Sequence, residues 1–447
     1  MSISSYHHSD QSSGKAFSVP SIDLNDLDIW ARGVPHDWFA WLRRNAPVYR
    51  HPEPDGPGFW VITRWADVTA IERAPHLFAN SPTHIGLGKG DEFSRARRLG
   101  VLMAILSLVR KDADSPKDAA EEFVSQFQHL LGLDAPDHSI YRRLLAPQFS
   151  YGVVKTLEPT VRSFAQHRIK GVIERGRCDL VDDLVRLLPM DVISELLGVP
   201  REDQEEICRW SNDVMGSVDP EYAVAPSTTA KAMRGFFTYF SDLRQRRAQN
   251  PERDIVSILS AADIPTARFL GYAMLLVIAG NETTRNAIVS GLYALMTHGN
   301  QWEELRDNPG LMGSAIEEIL RLASPVAYMR RNVIEDVDLY GTLLRKGEVV
   351  SLWYPSANRD ESVFESSERF DVHRTPNPHV AFGGGGPHFC LGAALARLEI
   401  RVMIEEVTRW MPDMRPDEKP VRLRSNQISG IKHLAVSFTP RSAAVVR

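Results

Sequence analysis

Four consecutive glycines, Gly383 to Gly386, followed by Pro387 and then by Cys390, restrict this chain more than any other stretch. Residues without Cβ lose the most entropy on ordering, so four in a row hold neither a helix nor a strand interior. They permit positive φ and let the backbone approach something flat and bulky. From about Leu391 to Trp410 the pattern turns helical, and Pro412 stops it. Cys390 is therefore expected to open a long helix, where free N–H groups and the macrodipole stabilise a thiolate.

A thiolate with one open face and N–H donors around its sulfur suits haem iron. His388, two residues earlier, is placed to reach a haem carboxylate. Glycine-rich loops before helices also bind phosphate, but here no Lys-Ser or Lys-Thr follows and the spacing is not G-x-G-x-x-G. A lone cysteine is commonly a small buried hydrophobe, which is the reading for Cys178 and Cys208.

The chain has 447 residues and a formal charge of −5, which argues against a generally nucleic-acid-binding protein. Three scattered cysteines cannot form a disulfide framework, so a reducing compartment, the cytoplasm, is expected. The most apolar run, Phe269 to Ala279, is too short to cross a bilayer, which takes ~20 apolar residues. It reads as a buried helix, and no membrane anchor is expected. Residues 1–20 are Ser-rich and polar, a mobile tail ahead of a single domain spanning 21–447. Helical periodicity dominates from Tyr141 to Phe370, with strands expected at 58–63, 337–340 and 348–352 and helices at 66–74, 180–197 and 232–247. The fold class is mainly α with a small β region.

Three further segments carry candidate chemistry. Ala279–Gly280–Asn281–Glu282–Thr283–Thr284 puts poor helix formers into the apolar helix. Glu282 beside Thr283 makes an acid–alcohol relay, with Glu282 exchanging with solvent and Thr284 on a different face. The plain alternative is a solvated Glu282 and a Thr283 that caps a helix break. Glu318 and Arg321 stand at i,i+3, the spacing of an ordinary helix-surface pair. His138 and Arg142 stand at i,i+4, hence on one helix face, and taken singly each reads as a surface group.

The run FGGGGPHFCLGAALARLE resembles the cysteine-ligand loop of the cytochrome P450 haem-thiolate monooxygenases, and the other segments match that family in order over roughly residues 35–440. Phe382 lies eight residues before the cysteine where the usual pattern has seven. The extra glycine resembles a bacterial subgroup that oxidises sterols and methyl-branched lipids. The resemblance implies the following. Haem b is the cofactor, with Cys390 as its axial ligand. His138, Arg142, Arg331 and His388 hold its carboxylates, with Arg143 and Arg330 solvated neighbours. Glu282 and Thr283 serve oxygen activation, and Ala279 and Val326 line the substrate pocket. Glu318, Arg321 and Arg374 form a buried ion-pair core. Residues 285–287 also match the subgroup, without a derivable role.

No flavin or nicotinamide fingerprint is present, so the resemblance implies a ferredoxin and its reductase as electron donors. Arg142, Arg143, Arg397 and Arg401 are the expected docking patch. The substrate is expected to be large and apolar: a steroid, a terpenoid or a branched lipid. Residues 79–137 run long for the family, and Val101 to Val109 within them reads equally as a substrate lid or a surface insertion. A donor-independent peroxygenase or rearrangement catalyst is the alternative enzyme, disfavoured by the Glu282–Thr283 pair. A haem sensor or carrier is the alternative class, disfavoured by the lack of a sensory or DNA-binding domain.

Overall fold

The computed structural model describes residues 23–53, 56–81, 126–222 and 227–446. The expected tail and the Val101–Val109 segment lie outside the described residues. The centre of the molecule is one helix, Thr266–Thr297, 32 residues long. It starts after Pro265, which cannot donate a backbone N–H, and its apolar positions are buried along nearly its whole length. Each fully buried Leu, Ile or Phe on it contributes roughly 1.5–3 kcal/mol. Gly291 lets the Met312–Ala323 helix come close, since a Cβ there would sit 2.6 Å from Ile319 Cγ2.

The expected interruption at 279–284 is not a break. Thr283 Oγ1 donates to the Ala279 carbonyl at 2.7 Å, a back-bond that satisfies the hydroxyl inside a continuous helix. The expected Leu180–Leu197 helix does divide. Leu180–Val185 is a wide π-helical turn, and Leu188–Leu197 follows as an α-helix with Pro189 in its first turn. The helix expected at 232–247 extends over Thr228–Gln249.

A five-stranded sheet flanks the helices, in spatial order Val48–His51, Phe59–Ile62, Val349–Trp353, Tyr328–Val333 and Phe78–Ala79. Only Phe59–Ile62 and Val349–Trp353 run parallel. Near the C-terminus, Ala435–Ser437 pairs with Arg177–Asp179 and with Arg415–Pro416. No helix of the described residues is long and apolar enough to cross a membrane.

Candidate active site

The cysteine loop is held by its own backbone and by neighbours. The Cys390 N–H donates to the Phe382 carbonyl at 3.0 Å. Arg142 Nη2 donates to the Phe389 carbonyl at 2.8 Å. The helix expected to open at Cys390 begins at Ala393, with Gly392 as its cap. The thiol thus precedes the helix, and the Gly392 N–H faces it. Burial pushes the Cys390 thiol up, against the pull of that N–H and of Arg142 and Arg397. Its exposed surface faces a cavity that Thr283, Ala279 and Val326 also line.

The four glycines have a closer neighbour than any flat ligand. A Cβ on Gly384 would lie 2.8 Å from Thr69 Cα, and one on Gly386 would lie 2.3 Å from the Glu72 carbonyl oxygen. Gly383, Gly385 and Gly386 have φ of 93°, 106° and 76°. The loop is therefore laid against the Trp65–Glu72 helix, which sequence reasoning did not connect to it.

Four basic side chains converge on the cavity: His138, Arg142, Arg331 and His388. The His138 and His388 rings lie 4.1 Å apart between centroids. Burial lowers the pKa of His138, and burial with His138, Arg331 and Arg142 nearby takes His388 down to about 2. His138 Nε2 and His388 Nδ1 are buried without a protein partner. Orphaned ring nitrogens beside two guanidinium groups fit the carboxylates of a haem, and the open Cys390 thiol fits its metal. Arg331 is 3 % exposed and also donates to Glu72 Oε1 at 3.2 Å.

Glu318 and Arg321 are fully buried and joined by two bonds of 2.7 and 2.8 Å. Arg374 Nε and Asn377 Nδ2 donate to the same carboxylate, both at 3.0 Å. All five Arg321 N–H groups are used, the other three by the carbonyls of Asn358, Ser367 and Arg369. The pair therefore ties the Met312–Ala323 helix to the segment that leads into the cysteine loop.

Several expectations need correction. Glu282 does not exchange with solvent: it is 2 % exposed, ion-paired with Arg285, and accepts from Asn286 Nδ2 at 3.0 Å. One residue along a helix is a rotation of about 100°, which turns Glu282 from the cavity. Its partner Arg285 reaches Asn212 Oδ1 at 3.1 Å on the Gln204–Met215 helix. Thr284, about 100° from Thr283 in the opposite sense, lines the cavity as well, although it was expected to face elsewhere. The expected basic patch is also reduced. Arg397 is paired with Glu317 and Arg401 with Glu158 and Glu405, so neither charge is free. Of the four, Arg143 is exposed. Arg330, expected to be solvated, is half-buried and donates to Asn332 Oδ1.

Glu399 was not anticipated. It lines the cavity from the Ala393–Trp410 helix, and burial alone drives its carboxyl well above the usual range. Only its place within LARLE marks it in the sequence.

A mainly helical fold, a central helix carrying adjacent threonines and a thiol loop facing it across a cavity define the class: the chain belongs to the cytochrome P450 family. Residues 241–410 match the family model described as cytochrome P450. The chain is a monooxygenase of that family. It is 36 % identical over 438 residues to the methyl-branched lipid omega-hydroxylase of Mycobacterium tuberculosis, covering 94 % of this chain and 95 % of that one. It is 35 % identical to the steroid C26-monooxygenase of Mycolicibacterium smegmatis, covering 96 % of each. Among solved structures it resembles a Mycobacterium marinum cytochrome P450 in complex with pseudoionone. That match has a TM-score of 0.83 at 29 % identity, and covers 95 % of this chain and all of the other.

Proposed function

We propose that this protein is a haem-thiolate monooxygenase that hydroxylates a large apolar molecule, a steroid, terpenoid or branched lipid, with electrons from a ferredoxin and its reductase. The observation that carries the reading is one cavity lined by an open thiol, a helix hydroxyl and four basic side chains. Cys390 would ligate the iron of haem b, and His138, Arg142, Arg331 and His388 would hold its carboxylates. When bound, the haem supplies dioxygen activation and transfer of one oxygen atom.

The chain's residues supply place and protons. Thr283 keeps its hydroxyl hydrogen on Ala279 and leaves its oxygen lone pairs toward the cavity, able to accept a proton or orient a water. Glu282 serves as the acid of the pair only after turning from Arg285, so its delivery is gated by that ion pair. Leu130, Leu275, Leu276, Val326 and Met329 line the apolar side and exclude water. Ala279 leaves room for a broad substrate. Apolar walls recognise hydrocarbon skeletons by shape and burial, and the named substrates of the relatives are of that kind.

The test is the absorption spectrum of the purified protein, reduced and exposed to carbon monoxide. A strongly red-shifted Soret band that is lost in Cys390→Ala supports thiolate ligation. No haem band after haem-supplemented expression overturns it. Substrate class follows from spin-state titrations with sterols, diterpenoids and branched fatty acids, and the donor from turnover with purified ferredoxin and reductase.

A further inference from the structure

Glu72 ends the Trp65–Glu72 helix, 6 % exposed, and its carboxylate reaches three separate parts of the chain. Oε1 accepts from the Tyr354 hydroxyl at 2.6 Å and from Arg331 Nη2 at 3.2 Å. Oε2 accepts from the Gly384 N–H. The next residue, Arg73, donates from Nε to the Gly384 carbonyl at 2.9 Å. Two consecutive residues therefore hold both backbone polar groups of one glycine in the run.

Arg331 is at least as buried as Glu72, and leaving a buried cation unpaired is strongly unfavourable. Glu72 neutralises it before any ligand arrives. Arg331 Nη1 donates to the Arg330 carbonyl at 2.9 Å, which leaves further guanidinium N–H groups for the cavity it lines. The glycine run matches this geometry: the Gly384 backbone passes too close to Thr69 to carry a side chain.

We propose that Glu72, with Arg73, is a latch that sets the cysteine loop and aims Arg331 for cofactor capture. This rests on the haem-thiolate reading. Glu72 acts through Gly384 and Arg331 without touching the cofactor, so it is a positioning residue. Loss of a carboxylate that served only fold stability would lower global stability and change loop exchange and haem release only in proportion to it.

The experiment compares wild type, Glu72→Gln and Arg73→Leu. It measures haem transfer to excess apomyoglobin, amide hydrogen exchange across 382–390 against 393–410, and urea unfolding. The latch predicts haem release and 382–390 exchange each at least about tenfold faster in Glu72→Gln, with 393–410 unchanged. Arg331→Met added to Glu72→Gln should change haem release by less than about twofold, because the two act as one unit. Arg73→Leu should speed exchange of the loop alone, and it decides the matter if Glu72→Gln does not fold. Loop exchange and haem release within about twofold of wild type in the folded variants would overturn the proposal. Loop exchange needs no cofactor, so a wild-type protein that takes up no haem sinks the haem reading while leaving the latch tested.

Discussion

Replacing Arg321 by Lys keeps the charge and removes the geometry. Arg321 spends five N–H groups on five acceptors at full burial, whereas an ammonium offers three donors from one point. At least two of the five acceptors then lose a charged donor, although Glu318 keeps Asp371, Arg374 and Asn377 and the Arg369 carbonyl keeps Arg374. Each hydrogen bond from a charged donor contributes ~1.5–3 kcal/mol, so losing two should cost Arg321→Lys ~3–6 kcal/mol. Arg374→Lys is the control, because Arg374 is 10 % exposed and water can reach the carbonyls it leaves. That change should cost ~1 kcal/mol. The assay is urea unfolding of both variants followed by circular dichroism, with the slope checked against wild type. An Arg321→Lys loss below about 1 kcal/mol, or one smaller than that of Arg374→Lys, would refute the donor-counting argument.

Two other outcomes follow from the same structure. Gly386→Ala brings a Cβ to within 2.3 Å of the Glu72 carbonyl at φ of 76°, so both space and backbone oppose it. It should lower the thermal midpoint and the yield of haem-loaded protein, whereas Gly152→Ala, which meets nothing within 4 Å, should do neither. Burial alone would raise the Glu317 carboxyl, but Arg397 and His379 overcome it and hold the pKa at about 2. A carboxyl depressed in the fold stabilises it above the unfolded value near 4.5, and that contribution fades as pH falls toward 2. Allowing for partial exposure it amounts to ~1–2 kcal/mol. Glu317→Gln should flatten acid unfolding monitored by intrinsic fluorescence between those two pH values, and an unchanged acid limb would count against the assignment.

What the sequence made legible is what local pattern can carry. Glu318 and Arg321 lie one turn apart, His138 and Arg142 just over one, and Cys390 sits in a run whose composition admits few structures. What it hid is long-range. Nothing in the segment around Glu72 marks it as the partner of Gly384 and Arg331, because a helix-terminal acid is ordinarily solvated. The partners of Glu282, Arg285 and Asn286, stand one turn along its own helix, but the burial that makes them its partners comes from another helix, whose Asn212 holds Arg285. Arg397 and Arg401 look free on a helical wheel and are neutralised by Glu317 and Glu158, which come from two other helices.

The contact between Glu72 and Gly384 also has a consequence for biosynthesis. The two residues are 312 positions apart. At ~5–20 residues per second, a ribosome that has made Glu72 needs roughly 15–60 s to make its partner. Through that interval the acid and the apolar face behind it belong to an incomplete nascent chain. The loop bearing Cys390 emerges only after that interval, so the cradle cannot close before it. Capture of a haem by the thiol would then follow synthesis of the glycine run, and a truncated product ending before that run would hold Glu72 on Arg331 and Tyr354 alone, without its Gly384 partner.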